Sequence, residues 1–172
     1  PAVRAASASG VGQTIAISLG GTLDRVRFAP IDVHARVRML SDGRFHEESH
    51  GTVWNGGPTA VLELTDAPVT LVVTSRPVSL YNRSLFLAHG QDPTRFDAVV
   101  VKSPHCQPHF FNDWAAHVVN VDAPGATSAN LQGLGHTRCP RPMFPLDSDA
   151  TFTPAVEIYQ RPRYDSRLEV GS

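Results

Sequence analysis

Lys102 is the chain's single lysine beside fourteen arginines, and the residues after it are rich in groups that do chemistry: Ser103, His105, Cys106 and His109. An ammonium next to a hydroxyl and free backbone N–H groups can hold a carboxylate or a phosphate. His105, Cys106 and His109 are of the types that ligate zinc, and a thiol between two imidazoles can be activated as a nucleophile. A structural zinc site normally takes four ligands in two separated pairs, and only the region of Cys139 offers a second one. A nucleophile needs an orienting carboxylate, for which Asp113 would have to fold back. Packing or substrate contact is the other use of such a turn. Thr127 and Ser128 add hydroxyls just after Asp122-Ala123-Pro124-Gly125. The candidate substrate contacts are therefore Lys102, Ser103, His105, His109, Thr127 and Ser128.

In a second cluster, His46, Glu47, Glu48 and His50, the residues His46, Glu48 and His50 would line one face of a strand, because side chains alternate along it. Two imidazoles and a carboxylate suit zinc or iron; without a further anchor the same pattern is the polar face of a hairpin. The chain contains no P-loop, His-Glu-x-x-His, Gly-x-Ser-x-Gly or dinucleotide-binding fingerprint.

The main turn follows an apolar, β-branched run at 98–101, which suits a covered strand. Phe110, Phe111, Trp114, Ala115 and Val118 then recur at helical spacing, with Pro108 fitting the first turn. A second run at 118–121 reads as another strand. Together these predict a βαβ-like unit with its crevice after Val101. Upstream the pattern is antiparallel. Residues 14–19 alternate, and Ile31, Val33, Ala35, Val37 and Met39 alternate with Asp32, His34, Arg36 and Arg38 before the turn Ser41-Asp42-Gly43. Residues 44–54 predict a strand returning on the last, Asn55-Gly56-Gly57-Pro58 a hairpin turn, and 59–64 and 69–74 two more strands. Asn82 predicts the cap of a short helix carrying Leu85 and Phe86, with Gly90 as its left-handed terminator. The expected class is α+β: an antiparallel β-sheet in the first half, then a smaller βαβ-like lobe. Residues 138–147, punctuated by proline, read as a surface strap, and 152–159 as an edge strand.

At 172 residues, 41% of them apolar, one domain is expected: a small-residue arm or linker over 1–12, a single domain over 13–160 and a polar tail over 161–172. A net charge of −1 gives no general attraction to nucleic acid or to an anionic membrane. No run approaches the ~20 apolar residues of a membrane span, and no signal peptide is visible. Two cysteines fit a reducing compartment, so a cytoplasmic protein is expected. A start at Pro1 without Met suggests a piece of a longer protein.

Several stretches, taken in order, resemble the C-terminal domain of the microcystinase C (MlrC) family of zinc metallopeptidases. They are Leu19-Gly-Gly-Thr-Leu-Asp24, Val37-Arg-Met-Leu-Ser-Asp-Gly-Arg-Phe45, Gly57-Pro-Thr-Ala-Val-Leu62, Val73-Thr-Ser-Arg76, Val99-Val-Val-Lys-Ser103, Val121-Asp-Ala-Pro-Gly-Ala-Thr-Ser128 and Arg141-Pro-Met-Phe-Pro-Leu-Asp147. The resemblance implies a companion N-terminal α/β domain that holds the zinc and its activated water, with no metal in this chain itself. It also implies a peptide or small amide substrate, linearised microcystin among those of the family, and a Lys-Ser turn that meets substrate or the companion domain. Relatives often carry a His-Phe pair shortly after Lys-Ser; Cys106-Gln107 stands there here, so no histidine role carries over. Two other readings stay open: a self-contained metal-binding domain, or a non-catalytic binding or assembly module, including a homo-oligomer.

Overall fold

Thr59-Ala60-Val61-Leu62 is a run of four buried residues, and a strand buried on both faces belongs in the middle of a sheet. In the computed structural model this segment is β5 (Thr59–Leu64), flanked by β2 (Ile31–Ser41) and β6 (Thr70–Thr74); β1 (Thr14–Leu19) lies outside β2. The sheet order is β1-β2-β5-β6, and all three pairings are antiparallel. Between β2 and β5 the chain makes a separate two-stranded hairpin, β3 (Arg44–Glu47) with β4 (Thr52–Asn55). Two short helices are α1 (Ala2–Ser9) and α2 (Ser84–Ala88). The structure describes residues 1–159 except Leu23, His50, Tyr81, 102–110, 124–129 and Phe152. The chain divides into two units, Pro1–Thr127 and Ser128–Ser172.

The α+β class and its antiparallel first half hold. Several local expectations do not. The supposed arm at 1–12 is α1, with Ala2, Val3 and Ala6 buried. Alanine is the strongest helix former, and its small side chain lets the helix lie close to the sheet. Val3 and Ala6 pack with Ile15, Ala35, Val37, Ala60 and Leu62 as the core. The 44–54 segment does not return on β2, because β5 takes that place; it folds on itself instead. Asn55-Gly56-Gly57-Pro58 therefore crosses from one sheet to the other, its turn held by Gly57 N–H donating to Asn55 Oδ1 at 2.8 Å.

A β-bulge between Val37 and Met39 also breaks the predicted alternation. Leu62 faces Val37 across the ladder, but beyond the bulge Leu40, and not Met39, stands opposite core residue Ala60. An extra residue in one strand flips all that follow it to the other face. Asn82 and Gly90 do bracket α2: Asn82 Oδ1 accepts from Ser84 N–H at 2.8 Å, and Gly90 has φ +70°.

The βαβ-like lobe is not found among the described residues. Neither 98–101 nor 118–121 forms a strand, and Val100, Val119 and Val121 are 91%, 78% and 77% exposed. An apolar run becomes a strand only when a neighbour pairs with it, and none of the described strands does. Of the predicted helix, Pro108 and Phe110 lie outside the described residues, and the described part is a turn at 111–114, closed by Ala115 N–H to Phe111 carbonyl at 2.8 Å. Phe111 is buried and meets Trp114 edge to face, with ring centres 5.7 Å apart. In the second unit, the expected edge strand is absent at 153–159, and a 3₁₀ turn, Leu131–Leu134, is capped by Asn130, which accepts from Gly133 N–H at 3.2 Å.

Candidate functional site

The best-organised polar group among the described residues lies where β3 ends beside α2. Glu47 ends β3 pointing inward and is only 2% exposed. A buried carboxylate must be supplied with donors, and the turn after β3 supplies them. Ser49 N–H donates to Glu47 Oε1 at 3.0 Å, and the Asn82 amide donates to the same oxygen. That amide also reaches Ser49 Oγ at 2.8 Å, and Glu48 N–H donates to Ser84 Oγ at 3.0 Å. The turn after β3 is thus clamped to the start of α2 through Asn82 and Ser84.

At the other end of α2, His89 is 2% exposed and bonded at both ring nitrogens. Nδ1 lies 2.6 Å from the Leu85 carbonyl, which can only accept, so Nδ1 carries a proton. Nε2 lies 2.9 Å from Ser41 Oγ, and in the neutral ring it accepts from that hydroxyl. Ser41 Oγ in turn accepts from Gly43 N–H at 3.1 Å, and Phe45 meets the His89 ring edge to face at 6.4 Å. A serine hydroxyl donating to an imidazole is half of a nucleophilic pair, but the orienting group here is a neutral carbonyl and the ring is sealed from substrate. The pair ties the β2–β3 turn to α2.

The sequence clusters fare unevenly. His46 is exposed on β3 and Glu48 lies in the turn beyond it, so the strand ends before His46, Glu48 and His50 can share a face; His50 is outside the described residues. The carboxylate with a structural role is Glu47, the member of that cluster expected on the opposite face. Its only sequence cue is the Asn82 cap, whose amide has to find an acceptor. Lys102, Ser103, His105, Cys106, His109, Thr127 and Ser128 all lie outside the described residues. Among those described, no three His, Cys, Asp or Glu side chains converge as a metal-ligand set, so they do not fit a zinc centre. No helix among them is long and apolar enough to cross a membrane.

We expect Glu47→Ala to cost about 1–3 kcal/mol, because it takes the acceptor away from Ser49 N–H and the Asn82 amide in a part-buried setting; Glu47→Gln, which keeps an acceptor oxygen, should cost less. Urea denaturation midpoints check both, and equal losses would show that the acceptor is not what matters.

In the second unit, Asp147 accepts a two-pronged bond from the Arg141 guanidinium and a 2.7 Å bond from Met143 N–H. The guanidinium first, then the N–H, holds the Asp147 carboxyl below its ordinary range. This closes a loop next to a cavity of about 90 Å³ lined by Gln132, His136, Arg141 and Leu146. Substrate pockets run to ~300–1,000 Å³, so this one is too small to be a peptide cleft.

A family model described as the MlrC C-terminus matches residues 1–138. The fold is also similar to the crystal structure of a putative metallopeptidase from Mesorhizobium sp. BNC1, with a TM-score of 0.73 and 29% sequence identity. The match covers 88% of this chain but only 30% of that one. None of the curated proteins compared matches.

Proposed function

The chain belongs to the MlrC C-terminus family, and from that membership we propose that it is the C-terminal domain of a metal-dependent peptidase or amidohydrolase. The observation that carries this reading is the pairing of the family match over 1–138 with a fold that makes up 30% of the Mesorhizobium structure. On this reading the metal is zinc, held by a companion domain, and this chain supplies one wall of the cleft. The substrate is a peptide or small amide, and the protein works in the cytoplasm. The residues of this chain that would meet substrate are those of the turn Lys102-Ser103, with His105, His109, Thr127 and Ser128 beside it. A lysine ammonium can hold the carboxylate of a peptide as a point charge.

The test is hydrolysis of a peptide panel by the longer protein and by the 172-residue chain. We expect turnover by the longer protein alone, abolished by a chelator and restored by zinc. Turnover that survives chelation, or that the isolated chain sustains, would contradict the proposal. In the longer protein, Lys102→Ala should leave the fold intact and lower kcat/KM about 10–100-fold, the value of one hydrogen bond to a charged group. Unchanged kinetics would remove Lys102 from the substrate contacts.

A further inference from the structure

The β1–β2 ribbon extends past the four-stranded part of the sheet. The carbonyl of His34 still accepts from Thr65 N–H at 3.0 Å; beyond it, among the described residues, β2 pairs only with β1. Register places Ile17 opposite Val33 and Leu19 opposite Ile31 on one face, with Ala16 opposite His34 and Ser18 opposite Asp32 on the other. The polar face suits water. The apolar face runs beyond the core, and Ile31 is 66% exposed. The connecting loop exposes two more apolar side chains: Val26 is 96% and Phe28 39% exposed. That loop is ordered from within, since Asp24 Oδ1 accepts from Val26 and Arg27 N–H at 3.0 Å each and Asp24 Oδ2 pairs with Arg27 at 2.7 Å. Val26 is thus held outward by a built turn. β1 itself, Thr14–Leu19, carries no charge and no proline, the usual guards of an exposed strand.

We infer that this ribbon, through Leu19, Val26, Phe28, Ile31 and Val33, is the surface on which the remainder of the longer protein docks. The inference rests on the domain reading above. The Mesorhizobium fold is joined to more than twice its own length of further chain, because the match covers 30% of that protein. Patch size favours this occupant over a second copy. A stable dimer needs roughly 800 Å² and 20–30 residues on each side, more than five side chains supply. A domain on the same chain is held at high effective concentration and needs far less. The ribbon is also preformed, so docking on it orders little new chain.

Amide hydrogen exchange in the full-length protein and in the 172-residue chain tests this. We expect amides of 17–19 and 26–33 to exchange at least about tenfold more slowly in the full-length protein. Ile31→Asp in the full-length protein should return them to the isolated-chain rate while Ala60, Val61 and Leu62 stay protected. Protection elsewhere, at 98–101 or 118–121 for example, with the ribbon unchanged would overturn the surface and leave the domain reading standing. No gain of protection anywhere would overturn both. Protection that appears in the isolated chain as its concentration rises would make the occupant a second copy and overturn the inference.

Discussion

Gly43→Ala should destabilise the domain by about 2–5 kcal/mol. Gly43 has φ +72°, and a Cβ there would stand 1.9 Å from the Gly57 carbonyl oxygen and 2.6 Å from Thr59 Oγ1. Neither neighbour can yield easily. The Gly57 carbonyl accepts from Thr59 Oγ1 at 2.8 Å, Thr59 is buried, and Gly56 N–H donates to the Gly43 carbonyl at 2.9 Å. The left-handed backbone alone costs an L-residue about 1–2 kcal/mol, and forcing a methyl into packed backbone adds about 1–3 kcal/mol. Gly90 is the internal control: its φ is +70°, but a Cβ there meets nothing within 4 Å. Gly90→Ala should therefore cost only about 1–2 kcal/mol. Urea denaturation of both variants separates the two contributions. Equal losses would mean that the crossing between β2, β4 and β5 is looser than described.

Leu62→Ala should cost about 3–4 kcal/mol, within the range for burying a cavity in a core. Leu62 is fully buried in the central strand, opposite Val37 on β2 and Leu71 on β6, in the cluster that α1 covers. Because the sheet is hydrogen-bonded on both sides of β5, its backbone cannot collapse into the vacated space. A domain of this size has only ~5–15 kcal/mol to lose. Leu64→Ala, on the same face but half-buried, should lose visibly less. A Leu62→Ala loss below about 1 kcal/mol would contradict the packing of α1 on this sheet.

The first half of the fold was legible wherever local pattern and tertiary context agree. β1, β2, β5 and β6 alternate or run apolar because each has a neighbour to cover it, and Asn82 and Gly90 bracket α2 through their own backbone chemistry. The failures have physical causes. Ala-Ala-Ser-Ala-Ser looks like a linker when only polarity is weighed, yet alanine is what a helix lying against a sheet requires. The bulge at Arg38 leaves no trace in the alternation of Val37 and Met39. The valines at 98–101 and 118–121 promise strands that only a partner could complete. At the site, the family resemblance rested on short ordered pieces and was sound. Glu47 was grouped with its exposed neighbours and His89 was passed over, because a buried polar residue shows itself only through the partners that surround it.

We propose that this member of the MlrC C-terminus family supports metal chemistry conducted in another part of a longer protein. The most direct test is the metal content of the purified 172-residue chain, measured by elemental mass spectrometry after dialysis without chelator. We expect zinc far below one equivalent per chain. Close to one zinc per chain would contradict it, and would make His105, Cys106 and His109 the first ligands to substitute.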